Sequence, residues 1–176
     1  MVTLRDSLAN AGLVTLTFNY AYTEAGRKSP DRAPKLLAVH RAAADRLTGY
    51  CDTIYLAGKS MGGRIASHLA GDEGWPAAGM VYYGYPLVAM GKTEPRDTAH
   101  LRRIEAPQLF FAGSRDRLSP PRLIAKLVPE LPSAEAEIVE DGDHSFKVPK
   151  RSGRSHEEVI AELAAKTAAW AQPRPS

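Results

Sequence analysis

A serine flanked by glycines, Gly58-Lys59-Ser60-Met61-Gly62, is the stretch of this chain whose residue types and spacing carry the clearest chemical meaning. Ile54-Tyr55-Leu56-Ala57 before it reads as a buried strand, and Arg64 to Leu69 after it as a helix ended by Gly71. A serine at the tip of a sharp strand-to-helix turn sits in strained backbone, and the close approach of neighbouring chain calls for glycine at 58 and 62. Such a turn aims the Met61 amide and the positive end of the following helix at the place where an oxyanion forms. Gly58-Lys59-Ser60 also matches the tail of a phosphate-binding loop. That reading fails upstream, because the first glycine of the loop would fall at Thr53 and the residues between are strand.

A serine hydroxyl is a poor nucleophile until a histidine takes its proton, and the histidine needs a carboxylate to fix its tautomer and stabilise its charged form. Five histidines compete for the base. His40 and His68 fall within expected helices, His156 at a helix start and His100 in or beside a helical turn. His144 alone follows a late strand, in the small and acidic loop Asp141-Gly142-Asp143-His144. For the acid, Asp116 follows another strand in Gly113-Ser114-Arg115-Asp116; its plainer role is an Asx turn or a cap for the next helix. Asp97 and Asp143 are the alternatives, with Asp143 poorly placed by its adjacency to the histidine. The chain order Ser60, Asp116, His144 is one of the orders in which such triads occur.

These residues need elements to hold them. Thr3 to Ala11 suits a helix closed by Gly12, and Val14 to Phe18 reads as a strand by its valine, threonine and phenylalanine content. After a polar segment, Pro34 opens a helix in which Leu36, Val39, Ala43 and Leu47 recur at helical spacing until Gly49. Further strands are expected at Gly79 to Tyr83, Gln108 to Ala112 and Glu137 to Val139. A helix is expected from Pro120 and Pro121 through Val128, with Ser119 as its cap. Ser155 and Glu158 form a capping-box pattern opening a last helix, with Val159, Ile160, Leu163, Thr167 and Trp170 as its apolar stripe and Pro173 as its stop. Strands alternating with helices predict a parallel sheet covered on both faces, with ligands at the carboxyl ends of its strands. Ser60, Asp116 and His144 all fall there. Tyr82, Tyr83 and Tyr85 either line such a site or pack beneath it, and alternation of strand faces favours packing for at least one of them.

Composition narrows the field. A chain of 176 residues without repeats is read as one domain, and no apolar run approaches the roughly 20 residues that cross a bilayer. Arg5 and Asp6 interrupt the place where a signal peptide needs its apolar segment, which points to the cytoplasm. Cys51, the single cysteine, rules out an intramolecular disulfide and fits a reducing setting; it is expected to pack rather than react. A net charge of +3 is too small to argue for nucleic acid. The denser cluster Lys147, Lys150, Arg151 and Arg154 lacks interleaved aromatics for base stacking and reads as a solvated loop. Neither a metal nor an organic cofactor is implied. Oligomeric state and substrate identity are not legible.

The runs Phe18-Asn19-Tyr20, Glu24-Ala25-Gly26-Arg27-Lys28, Pro30-Asp31-Arg32-Ala33-Pro34, Gly58-Lys59-Ser60-Met61-Gly62-Gly63-Arg64, Gly84-Tyr85-Pro86-Leu87, Gly113-Ser114-Arg115-Asp116 and Gly142-Asp143-His144-Ser145-Phe146 span nearly the whole chain. Together they resemble a family of small bacterial α/β hydrolases usually labelled dienelactone-hydrolase-like. The resemblance implies an α/β-hydrolase-type parallel sheet with helices on both faces, Ser60 as nucleophile, Asp116 as acid, His144 as base and Met61 as oxyanion donor. It implies a small acyl substrate without naming one, since true dienelactone hydrolases use cysteine where this chain has Ser60. Members of the family carry a strand and a His-Gly-x-Gly-type loop ahead of the helix that begins here near Thr3. Their absence predicts a single domain over 1–176 shortened at its N-terminus, an open ladder beside the Ile54 strand, and loss of the second oxyanion donor. Two functions follow as expectations: hydrolysis of ester-like or other acyl bonds through an acyl-enzyme, or a non-catalytic scaffold that binds a partner or small molecule.

Overall fold

The computed structural model describes residues 2–172. Its centre is a four-stranded parallel sheet in the order β1 (Tyr55–Lys59), β2 (Gly79–Tyr83), β3 (Gln108–Gly113) and β4 (Ala134–Val139). Tyr55 pairs with Gly79, Met80 with Gln108, and Gln108 with Ala134, so the carboxyl ends of the strands lie level. Strands that advance in chain order, each joined by a right-handed crossover, place every crossover on one face. That face is covered by α3 (Ala33–Leu47), α4 (Met61–Gly71) and α5 (Pro121–Leu127). Their side chains join Leu56, Met80, Tyr82, Phe110 and Ala112 in one apolar cluster. The opposite face is left to elements outside the run of strands. There α1 (Val2–Asn10) and α6 (His156–Trp170) pack on Val81, Tyr83, Leu109, Phe111 and Val139.

β2 and β3 are buried along their whole length, as strands covered on both faces must be. Tyr82, Tyr83 and Tyr85 are each no more than 1% exposed, so all three pack in the core. Cys51 is half-buried against the α3/α4 cluster with its thiol free. The capping box forms as expected: Ser155 Oγ accepts from the Glu158 amide at 3.1 Å, and Glu158 accepts from the Ser155 amide at 2.6 Å. The stop expected at Pro173 lies outside the described residues. Among the described residues no helix is long and apolar enough to cross a membrane.

Two expectations are overturned. Val14 to Phe18 forms no strand; among the described residues no strand precedes β1. Residues 14–19 lie outside any helix or strand and make no backbone-to-backbone hydrogen bond among the described residues, and Val14 is 78% exposed. β-forming residue types make a strand only where a partner's free backbone groups come within hydrogen-bond reach, and no backbone bond joins this segment to the open edge of β1. Ser119 is likewise no cap. α5 begins at Pro121 with Pro120 in the capping position, while the Ser119 hydroxyl is buried without a partner. A short further helix, α2 (Ala21–Glu24), turns the chain from this irregular segment towards α3.

Candidate active site

Ser60 stands between β1 and α4 with φ 51° and ψ −121°, a conformation that non-glycine residues avoid. It is held there by hydrogen bonds at both ends of its backbone. Its amide donates to the Tyr83 carbonyl at 3.0 Å and its carbonyl accepts from the Arg64 amide at 3.1 Å. The crossing that forces the turn is at Gly58 and Gly63 rather than Gly58 and Gly62. A Cβ on Gly58 would lie 2.3 Å from the Gly63 nitrogen, and one on Gly63 would lie 2.7 Å from the Gly58 oxygen, whereas a Cβ on Gly62 would meet open space. Met61 is the first residue of α4, so its amide is among those at a helix start with no intrahelical acceptor.

Asp116 and His144 are brought together by the loops after β3 and β4, which touch closely enough that a Cβ on Gly113 would fall 2.2 Å from the Gly142 oxygen. The Arg115 amide donates to the Gly142 carbonyl at 2.9 Å and the Arg115 Nε to the Asp141 carbonyl at 2.8 Å, tying one loop to the other. Asp116 is 3% exposed. Its Oδ1 accepts from the amides of Leu118 and Ser119 at 2.8 and 3.0 Å, and its Oδ2 lies 2.7 Å from His144 Nδ1. Burial alone would raise the Asp116 carboxyl, but the bonds from His144, Ser119 and Leu118 outweigh it and hold the group below the usual carboxylate range. With a carboxylate at Nδ1 the neutral ring carries its proton there, leaving Nε2 bare. His144 Nε2 lies 2.9 Å from Ser60 Oγ. Gly84, at φ 70°, makes room for the pair: a Cβ there would lie 3.3 Å from both Asp116 Oδ2 and the His144 ring.

The competing residues are engaged elsewhere. Asp143 Oδ1 accepts from the amides of Ser145 and Lys147 and so shapes the loop that presents His144. Asp97 accepts from the Ala99 amide. His68 bonds Asp72, and His156 lies against the Phe146 carbonyl. His100 Nε2 lies 2.9 Å from Ser67 Oγ, a second serine–histidine contact, but both residues are buried in a closed cluster with Tyr85. His40 Nδ1 lies 3.0 Å from the Tyr20 hydroxyl. Burial pushes His40 down to about 4 and Tyr20 above its ordinary value, so both are neutral at pH 7.

Ser60 opens into a cleft of about 330 Å³. One wall is Ala57 to Gly62; the other carries Phe18, Tyr20, Tyr22 and His40. This aromatic wall carries no signal in the sequence, where Phe18 reads as the end of a strand and Tyr20 and Tyr22 as part of a polar connection. An alpha/beta hydrolase domain model matches residues 1–172. The chain belongs to the alpha/beta hydrolase family.

Solved structures agree on the alpha/beta hydrolase fold. An alpha-beta serine hydrolase homologue from Coxiella burnetii superposes with a TM-score of 0.72 at 21% identity, over 94% of this chain and 74% of that one. An α/β serine hydrolase without a lid from Xanthomonas campestris gives a TM-score of 0.70 at 17% identity, over 99% of this chain and 74% of that one. A monoacylglycerol lipase from Paleococcus ferrophilus gives a TM-score of 0.70 at 15% identity, over 96% of this chain and 86% of its own.

Proposed function

We propose that the protein is a serine-dependent hydrolase of ester-like or other acyl bonds, working through an acyl-enzyme on Ser60. The observation that carries the reading is the hydrogen-bond relay from Asp116 Oδ2 through His144 to Ser60 Oγ, at 2.7 and 2.9 Å. Ser60 Oγ attacks the substrate carbonyl while its proton passes to His144 Nε2, and Asp116 stabilises the imidazolium that forms. The oxyanion is met by the Met61 amide and the N-terminus of α4. The C–O bond to the alcohol then breaks, with the His144 proton going to the leaving oxygen. Water, giving a proton to His144, attacks the acyl carbon and releases the acid and free Ser60. The substrate is a small acyl compound. Likeness to dienelactone-hydrolase-like members belongs to this proposal as a relationship and not as an activity, because Ser60 stands where those enzymes use cysteine. A reducing, cytoplasmic setting belongs to it too.

A fluorophosphonate probe tests the reading. Covalent labelling of the wild type that is lost in Ser60→Ala supports it. A folded, unlabelled wild type moves the protein to a second reading, an α/β-hydrolase scaffold that binds without turnover. One observation favours that alternative: the segment at Leu16 to Asn19, which lines the cleft with Met61, forms no strand that would fix a second backbone donor in place. Lack of one oxyanion donor costs about 10²- to 10³-fold in turnover.

A further inference from the structure

Behind Ser60, on the α1/α6 side of the sheet, lies a cavity of about 210 Å³ lined by Thr3, Leu4, Lys59, Tyr83, Ser145, Phe146, His156, Ile160 and Leu163. Lys59 also lines the Ser60 cleft, so this one residue borders both spaces. Side chains alternate along a strand, and Tyr55 of β1 reaches α6, where its hydroxyl donates to the Ala171 carbonyl at 2.8 Å. Lys59, four residues on, shares that face.

The Lys59 ammonium makes no hydrogen bond or ion pair among the described residues, although burial is strong enough to lower its pKa. The carboxylates acting on it, Asp116 and Asp143, are already committed to His144 and to backbone amides. Tyr83 is turned away by its bond to Thr167 at 2.7 Å. The cavity therefore combines a half-buried cation that has no direct hydrogen-bond partner among the described residues with the hydroxyls of Thr3 and Ser145 and with apolar walls from Leu4, Phe146 and Ile160. A buried cation without a partner is costly, and an anion that enters beside it recovers that cost. At roughly 30 Å³ per water, the volume takes a carboxylate and a short methylene chain.

Resting on the serine-hydrolase reading, we propose that Lys59 is a specificity-determining residue and that the cavity receives the anionic end of the acyl group. The preferred substrate is then an ester whose acyl part ends in a carboxylate, as in the half-ester of a short dicarboxylic acid. Ser60 attacks the ester carbonyl in the cleft, and the free carboxylate reaches past the turn to Lys59.

Two chromogenic esters test this on the full chain: 4-nitrophenyl butyrate, which is neutral, and mono-4-nitrophenyl glutarate, which is anionic. The expected ratio of kcat/KM, anionic over neutral, is at least about tenfold for the wild type. In Lys59→Met, which keeps the stem and removes the charge, the ratio falls by a similar factor, chiefly through KM for the anionic ester. Lys59→Arg restores part of it, which separates charge from packing. A wild type that is labelled at Ser60 and hydrolyses both esters with no anionic preference overturns the assignment of Lys59 and leaves the hydrolase reading standing. So does a ratio that survives in Lys59→Met. Failure of the wild type to take the probe or cleave either ester overturns both together.

Discussion

The two sides of Ser60 are built to different standards. On the β2 side the backbone near the serine is tied in several places: Ser60 to Tyr83, Gly84 to the Phe111 carbonyl at 2.8 Å, and the loops after β3 and β4 to each other. Tyr83 and Phe111 beneath them are each no more than 1% exposed, with rings stacked 5.4 Å apart. On the other side β1 has an open edge, and the facing wall includes the irregular chain from Leu16 to Tyr20, with Leu16 and Phe18 more than a third exposed. What holds that wall is side-chain contact: Phe18 edge-on to His40 at 5.0 Å, and Tyr20 bonded to His40. Proton transfer demands positions fixed to within a fraction of an ångström, and Asp116 and His144, the proposed acid and base, lie on the well-tied side. The loosely held side lines the cleft at Ser60.

Substitutions that remove function from each side test that division most severely. His144→Ala and Asp116→Asn are expected to lower kcat for a 4-nitrophenyl ester by about 10⁴-fold or more, because each removes a member of a relay that acts as a unit. Tyr20→Phe, across the cleft, removes one neutral hydrogen bond and is expected to cost about tenfold or less. Steady-state kinetics of the three variants decides it; a Tyr20→Phe loss comparable to that of His144→Ala would place catalytic machinery on the loose wall.

Stability should divide along the same line. Phe111→Ala empties a fully buried site on β3 and is expected to cost about 3 to 5 kcal/mol in urea unfolding. Phe18→Ala, at 37% exposure, is expected to cost about 1 kcal/mol or less. Equal losses would show that the irregular segment is as much a part of the cooperative core as the sheet.

This contrast also explains which parts of the molecule were legible in the sequence. Ser60 and Asp116 each follow an apolar run that ends in small residues, and that local pattern is enough to put a residue at the carboxyl end of a strand; His144 follows the short Ile138-Val139 end of β4, where Glu135 and Glu137 interrupt the run and only Val139 is buried. The mutual bonds of Asp116, His144 and Ser60 depend on the β3 and β4 loops touching at Gly113 and Gly142, a contact that glycine content hints at without specifying a partner. Val14 to Phe18 has strand-forming residues and no strand, because pairing is a property of two segments and no backbone bond joins it to a second. Gly62 looked like the close approach and Gly63 is, since which of two adjacent helical glycines faces β1 is set by the helix's rotation on the sheet. Lys59 gave no signal, because a lysine is remarkable only once burial and the lack of a partner are known.

The smallest expected effect concerns protons. His40 on the loose wall and His100 on the tied side are both pushed down to about 4, chiefly by burial. The unfolded chain binds a proton at about 6.5 where the folded chain does not, so stability is complete above that pH and is lost as pH falls towards 4. By pH 5 each histidine is worth up to about 2 kcal/mol of lost stability, from 1.5 pH units at about 1.36 kcal/mol each. That ceiling applies where the surroundings cannot yield. His100 is enclosed by Ser67, Tyr85 and a stacked His68 ring 3.7 Å away, and is expected to show most of it. His40 is covered in part by the segment at Phe18 and Tyr20, which can part from it locally, so its share should be smaller. Urea unfolding at pH 7 and pH 5 of wild type, His40→Leu and His100→Leu measures both. If His40→Leu removes as much of the pH dependence as His100→Leu, the wall of the cleft is held as firmly as the core and the division drawn between the two sides is wrong.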